Sequence, residues 1–189
     1  MSRAEFHRVY SDCEGLEGVE LIEGVVCMSS PVRIIHHTRP QTLALRWLTA
    51  YEERNPGLVE ALRPGSVLLD DANEPIPDVM LLRTATAEFV DGYLTTAPDL
   101  IIEIAASSKA RDLHQKKRAY ERNGVGDYLV WRVEDRALDW FILRDGLYFR
   151  REPDTDGVIA SEQFPGLRLD VPALLAMDRK RVLAAVRGR

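Results

Sequence analysis

Three short runs of almost unbroken apolar residues constrain the fold of this 189-residue chain more than any other feature. The runs span residues 77–82, 100–105 and 128–133. Strands that carry apolar side chains at both odd and even positions are usually buried on both faces. A segment with helical character, residues 109–122, separates the second run from the third. The pattern therefore predicts an α/β fold with a mixed central sheet flanked by helices.

The remaining segments add three helices and two hairpins to this arrangement. Apolar residues recur at helical spacing over residues 37–51, which predicts an amphipathic helix. Turn residues predict β-hairpins within residues 19–28 and 138–151. We expect a short helix at about 85–89 and a closing helix at about 172–186.

Length and composition fit one soluble domain, which we expect to span residues 1–189. Hydrophobic residues make up 46% of the chain and charged residues 29%, an ordinary balance for a globular protein. No apolar stretch approaches the roughly 20 residues of a membrane span, and residues 1–5 lack the apolar core of a signal peptide. Two cysteines without a CxxC spacing predict neither a disulfide framework nor a zinc site. We therefore expect a cytoplasmic protein with no membrane partner.

The net charge of −5 argues against a protein that coats nucleic acid through bulk charge. It leaves room for a local basic patch that contacts phosphate. The candidates for such a patch are Arg111, Lys116, Lys117, Arg118, Arg122 and residues 179–181.

Each of the first two apolar runs contains one carboxylate. Glu103 interrupts an otherwise buried strand, and an unpartnered carboxylate there would cost several kcal/mol, so a metal, a lysine or an arginine should face it. Asp99 lies four residues away on the same strand, roughly 13 Å from Glu103, which is too far to share one Mg²⁺. Asp78 can converge with Glu103 from a neighbouring strand about 4.8 Å away. Taken alone, Asp78 is better explained as a half-exposed acid at the start of a strand.

The segment after Glu103 offers a cation. Leu113 and Tyr120 define the inward stripe of the predicted helix, and Lys116 and Lys117 each lie about 50° from that stripe. The pattern does not choose between the two lysines, and both could be solvated. Two acids with a nearby lysine are what Mg²⁺-dependent cleavage of a phosphodiester needs, which makes a nuclease the leading hypothesis.

Two further groups are weaker candidates. Glu20 lies in the first hairpin, where a hairpin with polar ends is the better explanation, and as a metal ligand it would complete a three-carboxylate site. His36 and His37 begin the first long helix, and we interpret them as surface or capping residues.

The order and spacing of several motifs resemble the Uma2 family of restriction endonuclease-like proteins, within the PD-(D/E)XK nuclease superfamily. The matching motifs are Glu20-Leu21-Ile22-Glu23-Gly24, His37 or His36, Pro77-Asp78-Val79, Pro98-Asp99-Leu100-Ile101-Ile102-Glu103-Ile104, Asp112-Leu113 through Lys116 to Tyr120, Gly124-Val125-Gly126-Asp127-Tyr128-Leu129-Val130 and Pro165-Gly166-Leu167. The resemblance covers about residues 17–175 and implies a restriction-endonuclease-like sandwich. One departure from the family is that the usual serine-proline after the strand acid is absent from residues 105–108.

The resemblance also implies a site and an activity. Asp78 and Glu103 would be metal ligands, with Glu20 as a further candidate ligand. Lys116 would replace the superfamily lysine, which normally stands two residues after the second acid, where this chain has Ala105. The cofactor would be Mg²⁺ or Mn²⁺, the substrate DNA and the assembly a homodimer.

These observations predict a Mg²⁺-dependent endodeoxyribonuclease with Asp78, Glu103 and Lys116 as catalytic residues. One alternative is a catalytically inactive nucleic-acid-binding or scaffold module on the same fold. Another is a metal-dependent hydrolase that acts on a small phosphoester.

Overall fold

A computed structural model describes residues 1–10, 13, 18–28, 33–106 and 108–187. The helices are α1 (Arg3–Tyr10), α2 (Arg39–Glu52), α3 (Lys109–Arg111), α4 (Lys117–Arg122), α5 (Val171–Leu175) and α6 (Arg179–Arg187). The strands are β1 (Val19–Ile22), β2 (Val25–Met28), β3 (Val59–Leu62), β4 (Val79–Arg83), β5 (Phe89–Val90), β6 (Tyr93–Leu94), β7 (Leu100–Ala105), β8 (Asp127–Arg132), β9 (Ala137–Arg144), β10 (Leu147–Arg151), β11 (Val158–Ala160) and β12 (Arg168–Asp170). Two π-helical turns, Ile34–Thr38 and Asp112–Lys116, directly precede α2 and α4.

A mixed six-stranded sheet forms the centre of the molecule, with the strand order β10-β9-β8-β7-β4-β3. Only the β7–β8 pair of this sheet is parallel, and the segment that contains α3 and α4 connects these two strands. The three apolar runs become the central strands β4, β7 and β8. The predicted α/β fold with a mixed central sheet is therefore confirmed.

The sheet is covered on both faces, so alternate residues of β7 enter different cores. Ile102 and Ile104 belong to the core that includes residues of α2, α5 and α6. Ile101 and Ala105 belong to the opposite core, together with Tyr120 of α4. Because side chains alternate along a strand, Glu103 faces the same side as Ile101 and Ala105. This alternation directs the acid toward the segment that follows β7.

The β1–β2 hairpin pairs outside the central sheet and connects to it through a loop. Leu21 and Glu74 exchange two backbone hydrogen bonds, with N···O distances of 3.1 and 2.9 Å. Phe6 of α1 packs against Val19 and Leu21 on this hairpin. The hairpin is thereby fixed against the loop that leads into β4.

Two predicted helices differ from the structure. The short helix expected at 85–89 is wrong, because β5 and β6 form a hairpin there, with Asp91 and Gly92 both at positive φ (52° and 83°) in its turn. The closing helix expected at 172–186 is divided into α5 and α6, and Met177 between them has φ 57°. Across the described ranges, no helix combines the length and the apolar character that crossing a membrane requires.

Candidate active site

Asp78 and Glu103 lie side by side where β4 begins. Val79 pairs with Ile102 in the antiparallel β4–β7 ladder, so the same register brings Asp78 opposite Glu103. The backbone N–H of Ile104 donates to Asp78 Oδ2 at 2.7 Å, which orients this carboxylate toward β7. Side chains of directly opposed residues in such a pair are close neighbours.

Asp99, the competing acid, lies elsewhere. It accepts hydrogen bonds from both the backbone N–H and the guanidinium of Arg83, which is the last residue of β4. These contacts place Asp99 at the opposite end of β4 from Asp78.

Lys116 rather than Lys117 reaches Glu103, and it also reaches Glu20. The Lys116 ammonium Nζ lies 3.0 Å from Glu103 Oε1 and 2.7 Å from Glu20 Oε1, and its side chain is only 5% exposed. Lys117 points elsewhere, with its Nζ 4.1 Å from the centroid of the Phe141 ring. Of these two lysines, Lys116 is therefore the one that lies against Glu103.

The π-helical turn at Asp112–Lys116 explains this placement. Asp112, Lys116 and Tyr120 follow one another at intervals of four residues, and all three are buried. In a regular α-helix such a series advances by about 40° at each step, and the wider π turn at Asp112–Lys116 offsets this advance. Tyr120 Oη donates to Glu103 Oε1 at 2.9 Å, so the acid receives two donors from this face.

Glu20 approaches the same lysine from the β1–β2 hairpin. Its Oε1 also accepts a hydrogen bond from the backbone N–H of Ile76 at 2.7 Å. The second oxygen, Oε2, lies 3.8 Å from Nη1 of Arg111. Glu20 is thus buried among donors and cations.

His37 contacts the other acid. Its Nε2 lies 3.1 Å from Asp78 Oδ1, while its Nδ1 is buried with no hydrogen-bond partner among the described residues. The hydrogen bond to Asp78 raises the pKa of His37, although burial of the ring opposes this effect. The interpretation of His37 as a surface or capping residue is therefore wrong, since the ring is half-buried against an acid.

Buried negative charge dominates the electrostatics of the site. Burial raises the pKa of Glu103 well above its usual range, and the charges of Asp78, Asp112 and Glu20 add to this effect against the attraction of Lys116. Burial likewise raises the pKa of Asp112 to about 6. Burial alone would lower the pKa of Lys116, but the surrounding carboxylates, chiefly Glu103, outweigh it and raise that pKa. The lysine therefore stays protonated at neutral pH.

The chemistry of these donors fits Mg²⁺ or Mn²⁺, which prefer carboxylate oxygens. The acids outnumber the buried lysine, so an additional cation would offset the charge that raises the pKa of Glu103. In the described ranges, however, no group of three or more His, Cys, Asp or Glu side chains is arranged to hold a metal. The oxygens of Glu103 and Asp78 face Lys116 and His37 instead.

Two buried residues of the site, Asp112 and Tyr120, had no role predicted from the sequence. Asp112 and Tyr120 were part of a recognisable motif, and their spacing of four residues on either side of Lys116 was the available signal. The expected basic patch is reduced in the structure. Arg118 forms an ion pair with Glu23, and Arg122 lies near both Glu23 and Asp70, so these arginines already have acidic partners.

Comparison with known proteins gives a family and a shared fold. The Uma2 family profile, described as "Putative restriction endonuclease", matches residues 3–172. A crystal structure from Anabaena variabilis ATCC 29413, described as a putative nuclease belonging to DUF820, superimposes with a TM-score of 0.72. The match covers 93% of this chain and 98% of that one at 14% sequence identity, which shows a shared fold. The search of curated proteins found no match. Because the family profile spans most of its length, the chain belongs to the Uma2 family of nuclease-like proteins.

Proposed function

We propose that this protein is a metal-dependent endonuclease that hydrolyses phosphodiester bonds in DNA. The observation that carries the proposal is the meeting of Asp78, Glu103 and Lys116, with the lysine Nζ 3.0 Å from the glutamate Oε1. Membership of a family described as restriction endonucleases supports a nuclease, and the metal and the DNA substrate are inferred from the chemistry of the acids and from the family.

Asp78 and Glu103 would hold one Mg²⁺ or Mn²⁺. Such an ion, when bound, lowers the pKa of a coordinated water and polarises the scissile phosphate. His37 and the Ile104 N–H hold the two oxygens of Asp78 in a fixed orientation. This fixation reduces the entropy that Asp78 would lose on binding a ligand.

Lys116 would act as a fixed positive charge. Because the neighbouring carboxylates raise its pKa, it remains an ammonium and serves as a hydrogen-bond donor rather than as a base. Its position beside Glu103 lets it donate to a phosphate oxygen or to the attacking water. Charge that develops on the phosphate in the transition state would be stabilised by this donor.

The burial of the Lys116–Glu103 pair gives some support to the inactive binding module. Both side chains are at most 5% exposed, so a substrate would have to approach a site whose charges are already paired. Cleavage assays separate this alternative from the nuclease.

The test is cleavage of supercoiled plasmid with Mg²⁺ and with Mn²⁺, with EDTA as the metal-free reference. We expect nicking or linearisation by the wild type and none by Asp78→Ala or Glu103→Ala. Glu162→Gln, a change at a 40% exposed acid outside the site, is the matched control and should cleave normally. Retained cleavage by purified Asp78→Ala would refute the site.

Further substrates and the assembly can be tested alongside. A chromogenic phosphodiester that is hydrolysed while DNA and RNA stay intact would favour a small-molecule hydrolase. Light scattering of the purified protein tests the homodimer, which stays a prediction from the family resemblance.

A further inference from the structure

Glu20 is neutralised by cations of the protein itself. Its Oε1 lies 2.7 Å from Lys116 Nζ and accepts the Ile76 N–H at 2.7 Å. Its Oε2 faces Arg111 at 3.8 Å. Both oxygens of this 5% exposed carboxylate therefore face donors or cations. Coordination by Glu20 would place a metal ion beside the ammonium of Lys116 and the guanidinium of Arg111, and it would break a buried ion pair. Asp78 differs, because its partners are His37 and a backbone N–H.

Lys116 reaches the site from outside the sheet, and Glu20 is placed to hold it there. The strand position that shares the face of Glu103 is occupied by Ala105, so the ammonium comes from the segment after β7 on a long side chain. Fixing a long, flexible lysine side chain in one position costs rotamer entropy. With Glu103 as its sole acidic partner, Lys116 would be held by a residue that we also assign to the metal. Glu20 supplies a second anchor from another element.

Glu20 is itself held in register with the site. Leu21, the next residue, pairs with Glu74 through two backbone hydrogen bonds, and Ile76 donates to Glu20. Both partners lie in the loop that ends at Asp78. The hairpin, the first acid and the lysine are thus joined into one fixed unit.

The geometry points to Glu20 as a positioning residue that holds the Lys116 ammonium beside Glu103, rather than as a third metal ligand. This inference rests on the proposed function. It also departs from the ligand role that the family resemblance implied for Glu20.

Chemical labelling of lysines tests the anchor without metal or substrate. Pulsed acetylation with mass spectrometry would follow Lys116 in the wild type, Glu20→Gln and Glu23→Gln. The last is the matched control, because Glu23 lies in the same hairpin but pairs with Arg118 and Arg122 at the surface. We expect Lys116 to react at least fivefold faster in Glu20→Gln alone, with the exposed Lys180 unchanged as an internal reference.

Manganese binding separates an anchor from a ligand. Titration calorimetry should give a Mn²⁺ dissociation constant within about twofold of the wild type for Glu20→Gln, and at least tenfold weaker for Asp78→Asn. In plasmid cleavage, Glu20→Gln should lower kcat about 10- to 100-fold, as the loss of supporting contacts typically does. The same change made in Lys116→Met should cause little further loss.

Two outcomes would overturn the inference. One is equal protection of Lys116 in Glu20→Gln and in the wild type. The other is a loss of Mn²⁺ affinity in Glu20→Gln as large as that in Asp78→Asn. Failure of the wild type to cleave any nucleic acid would refute the proposed function instead, and labelling would still decide whether Glu20 holds Lys116.

Discussion

His37 Nε2 lies 3.1 Å from Asp78 Oδ1, so a residue just before the first long helix contacts an acid 41 positions later in the chain. The other oxygen of Asp78 accepts the Ile104 N–H at 2.7 Å. A carboxylate held at both oxygens has one orientation. The His37 contact therefore links α2 to the end of the sheet where Glu103 lies.

Replacing His37 with glutamine should reduce stability more at pH 6 than at pH 9. The hydrogen bond to Asp78 raises the pKa of His37 in the folded protein. A raised histidine pKa adds stability that is fully present below the unfolded pKa of about 6.5 and is lost as the pH rises through the folded pKa. We expect a difference of about 1 kcal/mol in the free energy of unfolding, because the ring is partly exposed. Urea unfolding at both pH values measures it.

The neighbouring His36 provides the control for that measurement. His36→Gln changes the same turn without removing the contact to Asp78. An equal loss of stability at pH 6 and pH 9 in His37→Gln would contradict the prediction.

Lys116→Met should greatly reduce cleavage, whereas Lys117→Met should leave it almost unchanged. Lys116 is paired with two buried acids, so its loss should reduce plasmid cleavage at least 100-fold and destabilise the fold by about 3–5 kcal/mol. Lys117 lies over the Phe141 ring, where a cation–π contact contributes about 0.5–1 kcal/mol, so its loss should leave cleavage within twofold. Initial rates at equal concentrations of folded protein, checked by circular dichroism, compare the two. Equal activity of the two variants would sink the assignment of Lys116.

The helical pattern could not choose between these lysines for a physical reason. It assumes 3.6 residues per turn, whereas Asp112–Lys116 forms a wider π-helical turn. This turn changes the angular position of the residues before α4 relative to those within it. No residue in that segment, such as a proline or a glycine, marks the change. The contact between Lys116 and Glu20 was also invisible in the sequence, since it joins a helical segment to a separate hairpin.

The central sheet and its acids could be predicted because burial on both faces leaves a direct pattern. In Leu100–Ala105 only Glu103 is polar, and a charge in such a run requires a partner. The segment at 85–89 shows the limit of this method. Its two alanines fit a short helix, but the turn at Asp91-Gly92 favours a hairpin and determines the local structure.

Divalent metal should stabilise the folded protein if Asp78 and Glu103 bind it. A ligand at 100 times its dissociation constant adds about 2.7 kcal/mol to the free energy of unfolding. For a chain of this size, that corresponds to an increase in Tm of about 5–10 °C. We expect this increase with Mn²⁺ in the wild type, its reversal by EDTA, and its loss in Asp78→Asn and Glu103→Gln. An equal increase in Asp78→Asn would place the bound metal elsewhere on the protein.

Asp112→Asn should stabilise the protein at neutral pH and lose this advantage in acid. Burial raises the pKa of Asp112 from its usual 3.8 to about 6, so the folded protein binds this proton more tightly than the unfolded chain does. The stability gained from protonation is fully present below about pH 4 and is lost as the pH rises through about 6. At about 1.4 kcal/mol for each pKa unit, the wild type should be about 3 kcal/mol less stable than the variant above pH 7.

Urea unfolding between pH 4 and pH 8 checks this prediction, with Asp156→Asn as the control at an exposed acid. The gap between Asp112→Asn and the wild type should widen as the pH rises from 4 to 7, while Asp156→Asn should follow the wild type throughout. A gap that narrows with rising pH would mean that attraction to Lys116 outweighs the cost of burying the Asp112 carboxylate. Asp112 would then be a stabilising anion of the site.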